Sequence, residues 1–489
     1  MSRSKVPRLF SLLYTHNPFY LISACLFVYG LKLLFRAGDS TVLFQQGSVA
    51  YMEPWGLMAS FAGVAVLMAV TAVMVVRFGR VWEDARSLVL NVLLMLLAMS
   101  VGFDEIITLL SDRDNAQLHL FRMFATGVCF AVGLCELLIR GLRIRLLLSY
   151  RLPLYGFIVL FFAWPALLLP ELTGFTKPET RWLIAAFPLS AAALTLMLIP
   201  AVRRGSKAVA DNGTPWKWPL FPWTPFVFIA LAVCFRSYTL TMSFDVVSMG
   251  GHYWDTMFGL YLLVPFALAV FAVLLEISVV EGRPGLQRGV MLTAPLLLIL
   301  ATPALAPWSK LGAYSSFTLS LTDTVGSPVF LTMIGLAGFY GYAWLRGVRR
   351  AEFGVYSTAA LSAMIDPRGF GTSIWELRPD QLTWWPVLVL AVLQIAIGVY
   401  RKQSMRVFAG LMLGILAGHF AASGISQLFD WRSVISVHAV LLAVVLTGGC
   451  FKDGFAQAMN ELGPVLLSGT MTWAFAVLLQ RGVSPQMTA

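Results

Sequence analysis

Asp104, Glu105, His119 and Arg122 flank a short polar turn between two apolar runs, Arg236 interrupts another run, and His419 and His438 sit in two more. Ionisable groups at membrane depth persist only where water, a partner or a ligand satisfies them, so each marks a candidate site. Counted outward from the turn at Arg113 and Asp114, Glu105 and Arg122 stand at equal distance. A helical hairpin therefore sets them at one depth, where a carboxylate and a guanidinium can pair. Imidazoles on adjacent spans at comparable depth can share a role, and can hold a metal or haem if their helices face each other. These seven residues form the candidate substrate-binding cluster: Asp104, Glu105, His119, Arg122, Arg236, His419 and His438. Taken singly, each histidine also fits a satisfied polar residue at the membrane interface.

Asp112-Arg113-Asp114 places two carboxylates one residue apart in a loop. Such a pair can hold a divalent cation against substrate phosphates, which makes Asp112 and Asp114 the candidate metal ligands. The triplet resembles the acidic loop motif of polytopic glycosyltransferases that use lipid-linked donors. That resemblance implies an outer-face transferase. The family carries its motif in the first outer loop, however, where this chain has only Asp39 and Glu53. Glu136 and Arg140 have the favourable i, i+4 order and read as a structural pair. The chain contains no P-loop, no HExxH, no CxxC and no Gly-x-Ser-x-Gly elbow. No resident cofactor is assigned. Its cysteines, Cys25, Cys129, Cys135, Cys234 and Cys450, lie in apolar runs or at a run's end and read as small hydrophobes.

The elements that must position these groups follow from composition. Of the 489 residues 58% are hydrophobic and only 12% charged, half the charged share of an ordinary soluble domain, about 25%. Apolar runs long enough to cross a hydrocarbon core recur from end to end, and the intervals between them are too short for a folded soluble domain. The fold class is all-α, a polytopic helical bundle of about 14–15 transmembrane helices in one membrane domain over residues 1–489. The spans read as 19–36, 55–76, 87–110, 117–139, 153–170, 182–200, 221–240, 256–280, 289–306, 327–345, 353–365, 382–400, 407–423, 433–449 and 463–480. Arg3, Lys5 and Arg8 precede the first run as in a signal peptide. Thr15 to Pro18 interrupts the would-be apolar core, and a retained first span fits better.

A net charge of +11 would suggest nucleic acid in a soluble chain, but here it reports orientation. With the N-terminus cytoplasmic, the inner segments collect Arg77, Arg80 and Arg86, then Arg140, Arg143 and Arg145, and later Arg203, Arg204, Arg283, Arg346, Arg349, Arg350, Arg401, Lys402 and Arg406. The expected partner is the lipid bilayer, with a small-molecule or lipid-linked substrate, and the expected location is the bacterial cytoplasmic membrane. On this reading Arg203 and Arg283 serve orientation and tolerate lysine. Parity also requires the short segment 353–365 to cross, and it ends at the sharp stop Asp366-Pro367-Arg368-Gly369. Gly410, Gly414 and Gly418, four apart, allow another backbone to approach closely. Two functions remain open: transport or translocation of an envelope component or small solute, and an outer-face enzyme or a haem- or metal-handling protein.

Overall fold

The computed structural model describes residues 52–80, 88–97, 99–102, 116–168, 177–205, 222–244, 256–303, 312–369, 383–421 and 429–480. Among these residues there are helices and no strand, and ten helical segments are long and apolar enough to span a bilayer. The helices run in order α1 (Met52–Arg77), α2 (Leu88–Gly102), α3 (Ala116–Gly141), α4 (Leu148–Leu167), α5 (Lys177–Leu196) and α6 (Ile199–Arg203). They continue as α7 (Thr224–Phe244), α8 (Val264–Val280), α9 (Pro284–Thr293) and α10 (Leu297–Ala301). The span read at 19–36 lies outside the described residues.

A further helix, α11 (Gly312–Thr324), occupies a stretch that the hydropathy pattern leaves as a loop. Its serines and threonines hide it. Their hydroxyls donate back into the helix, Thr322 Oγ1 to the Thr318 carbonyl at 2.8 Å and Thr324 Oγ1 to that of Ser320 at 2.7 Å, which satisfies them without water. Tyr314, Phe317, Thr318, Leu321 and Thr322 are buried at helical spacing. After it come α12 (Pro328–Leu345), α13 (Ala351–Met364), α14 (Trp384–Arg401), α15 (Ser404–Ala421), α16 (Phe429–Cys450) and α17 (Gly454–Gln480).

The chain divides into two compact units. The first contains residues 1–294 and 307–317, the second 295–306 and 318–489. In the first, α1 presents Met58, Phe61, Ala65, Ala69, Ala72 and Val76 along one face, and these pack with Leu88, Val92 and Met99 of α2 and Met123, Ala131 and Leu138 of α3. Small residues at the contact let backbones approach, the usual source of affinity between helices in lipid. The opposite face of α1 leaves Leu67 and Met74 exposed, as a lipid-facing surface should.

In the second unit, α12 and α13 form a hairpin. The Ser327 hydroxyl caps α12 by accepting the Phe330 N–H, and the Ser327 N–H donates to the Pro367 carbonyl at 2.7 Å. The return arm, α13 plus the extended residues after it, thus reaches the level at which α12 begins. Thr383, at the start of α14, donates its N–H to the Ala363 carbonyl at 2.8 Å, near the end of α13. Gly410 is where α15 meets α14: a Cβ there would stand 2.8 Å from the Ala391 carbonyl oxygen and 2.9 Å from the Ile395 nitrogen. Gly414 makes only ordinary contact, and Gly418 has no described neighbour within 4 Å. One glycine of the three therefore carries the close approach, and it acts within the chain. At the other end of the unit, Asp453 accepts the N–H of Ser404 through Oδ2 at 3.0 Å and that of Ala456 through Oδ1 at 3.2 Å. One carboxylate caps the N-termini of both α15 and α17.

Candidate functional site

Charge in the first unit gathers where α3, α4, α6 and α8 end or begin at a common level. Glu276, near the C-terminal end of α8, has no exposed surface, yet apart from Ser278 the rest of α8 is apolar (Leu274, Leu275 and Ile277 surround it). Arg203, at the end of α6, brings Nε within 3.0 Å of Glu276 Oε1 while half its own side chain stays exposed. A carboxylate this deep needs such a partner, since an isolated buried charge costs far more than an ion pair returns. Arg203 thus has a specific partner beyond any role in orientation. Arg283, by contrast, pairs at 2.7 Å with Glu281 at an exposed turn.

Also in the first unit, Glu136 of α3 accepts from Arg140 Nε at 2.8 Å and from the hydroxyl of Tyr155 on α4. The i, i+4 pair read from sequence is present, and Arg151 Nη1 joins it at 3.5 Å. Tyr150 stacks edge-on against Trp223 with ring centres 5.6 Å apart, which ties the start of α4 to the residue before α7.

The second unit repeats the chemistry with different residues. Arg406 of α15 holds both oxygens of Glu352 on α13, Nη1 on Oε1 and Nη2 on Oε2 at 3.2 Å. Tyr356, one turn along α13, donates its hydroxyl to Glu352 Oε1 at 2.5 Å. The two-toothed grip fixes the planes of both groups, which a lysine could not do.

The residues singled out from sequence fall in different surroundings. Arg236 is wholly buried in α7, with Nη1 3.5 Å from Thr239 Oγ1. Around it Ser237 and Thr241 are buried as well, their hydroxyls turned back to the carbonyls of Val233 and Tyr238. On α3, His119 is half-buried and Arg122 exposed. His419 on α15 and His438 on α16 are both exposed, although those two helices pack together. Asp104, Glu105, Asp112 and Asp114 lie outside the described residues, as does Cys25. Among the described residues no three His, Cys, Asp or Glu side chains converge as a metal site.

Sequence reasoning passed over Glu276 and the Glu352–Arg406 pair. An acid within an apolar run was the available signal for the first. Neither partner could be read locally, because Arg203 and Arg406 lie 73 and 54 positions away from their acids. No protein-family model, no curated protein and no solved structure matches this chain.

Proposed function

We propose that this multi-pass membrane protein transports or translocates a small solute or envelope component across the bacterial cytoplasmic membrane, with its N-terminus on the cytoplasmic side. The observation that carries the reading is the presence of wholly buried ionisable side chains of opposite sign, Arg236 and Glu276, on apolar spans of one unit. Groups of this kind inside the bilayer line ion and substrate pathways, because a purely structural span has no use for their cost. Glu276 meets a guanidinium that is itself half exposed, so the buried carboxylate has a route for charge exchange with water. Arg236, flanked by Ser237, Thr239 and Thr241, is the group suited to an anionic part of the substrate. In the first unit His119 and Arg122, with Asp104 and Glu105, stay candidates for the opening on the opposite side, and in the second unit His419 and His438 stay candidates by themselves.

Side-specific thiol labelling tests this. Single cysteines at Ser237, Thr241 and Ser278, in a chain freed of its native cysteines, are exposed to a membrane-impermeant reagent from each side in turn. A carrier that alternates its access lets the reagent reach them from both sides. If every position reacts from one side only, the protein is the outer-face enzyme of the second reading and not a carrier.

A further inference from the structure

We propose that the arginine-rich end shared by α1 and α3 is a binding site for the phosphate groups of anionic phospholipids. The two helix ends are joined there. Arg77 Nε donates to the Gly141 carbonyl at 2.7 Å, and Gly141 lies so close to α1 that a Cβ would stand 2.6 Å from Val73 Cγ2. The junction gathers Arg77, Arg80, Arg140, Arg143 and Arg145, all exposed. The acid beside them, Glu136, is already engaged by Arg140, Arg151 and Tyr155. A helix C-terminus attracts a cation in its last turn, but two such ends do not account for five.

Backbone geometry at this end adds to the clustering of charge. Arg80 and Arg143 adopt left-handed conformations, with φ of 53° and 55°. That conformation costs an L residue energy, and glycine takes it freely. Among the described residues, every non-glycine with positive φ is basic: Arg80, Arg143, Arg350 and Lys402. Orientation requires basic residues somewhere in a loop, at no particular backbone position. An arginine held where glycine is favoured indicates that its guanidinium is needed at that point.

The surroundings select a lipid over a free anion. Phe78 is 82% and Leu148 67% exposed beside the arginines, at the ends of spans whose flanks face acyl chains. Apolar side chains at that level enter the hydrocarbon boundary while guanidiniums grip phosphate oxygens in pairs.

The test uses the full chain purified in detergent, titrated with phosphatidylglycerol, phosphatidylcholine or inorganic phosphate, and read by retained lipid in native mass spectrometry and by melting temperature. Phosphatidylglycerol is expected to bind and stabilise, and the other two are not. The double variant Arg80→Gly/Arg143→Gly relieves both strained turns and leaves Arg77, Arg140 and Arg145 to hold orientation. It should melt no lower than the parent without lipid, yet lose affinity for phosphatidylglycerol by about tenfold or more. Equal binding of the two lipids, an equal effect of inorganic phosphate, or undiminished phosphatidylglycerol binding by the glycine variant would each overturn the proposal.

Discussion

Nε of Arg203 stands 3.0 Å from Oε1 of Glu276, joining a half-exposed guanidinium to a carboxylate with no exposed surface. Removing the arginine alone takes its ion pair from a buried acid that keeps its charge, so Arg203→Met should destabilise more than the double variant Arg203→Met/Glu276→Gln. A coupling of about 1–3 kcal/mol is expected from a thermal double-mutant cycle in detergent. Arg203→Lys should also lose stability, because lysine lacks the Nε–H that makes the contact. Additive effects would mean that the two side chains do not depend on each other.

Asp453 supplies a pH signature. The hydroxyl and N–H of Ser404, with the N–H of Ala456, hold its carboxyl below the usual carboxylate range. A carboxyl depressed in the folded state adds stability that is present above its unfolded pKa and is lost as pH falls through the folded value. The melting-temperature gap between the parent and Asp453→Asn should therefore be widest near neutrality and narrow below about pH 4. A gap that does not change with pH would rule out the carboxylate cap.

The three glycines of α15 should respond unequally. Gly410→Ala places a methyl against backbone atoms of α14, which neither helix can yield without shifting, at a cost of about 1–3 kcal/mol. Gly418→Ala meets nothing described within 4 Å and should be neutral or slightly stabilising. Melting temperatures of the two variants decide it, and equal losses would point to a seam other than α14.

Sidedness of the α12–α13 hairpin can be read chemically. Both Arg349 and Arg368 are exposed. In a background without native cysteine, Arg349→Cys should label from the cytoplasmic side and Arg368→Cys from the other. Labelling of both from one side would show that α13 re-enters without crossing.

The all-helical, membrane-like architecture was legible because outward-facing and core-facing apolar residues together make runs that no soluble helix needs. The brevity of 353–365 recurs in α13 (Ala351–Met364), and extended residues after it finish the return to Ser327. Helix α11 was missed for a physical reason, since a Ser/Thr-rich segment loses its hydropathy signal while its hydroxyls are satisfied internally. Depth could be counted along the chain, and it drew attention to Arg236, which is buried. Pairing could not. Glu276 and Glu352 find their arginines through tertiary packing, and an acid's surroundings cannot be inferred from its own neighbours in sequence.

The shared cap at Asp453 has a kinematic consequence. Two hydrogen bonds to one small carboxylate tolerate rotation far better than stretching, since their strength falls steeply with distance and more gently with angle. The link between Ser404 and Ala456 therefore works as a pin joint. Helix α15 can roll or tilt about its N-terminal end, but it cannot slide along α17 without tearing the pin out. A motion in the second unit that keeps both hydrogen bonds leaves this point stationary and grows toward the far ends of the two helices.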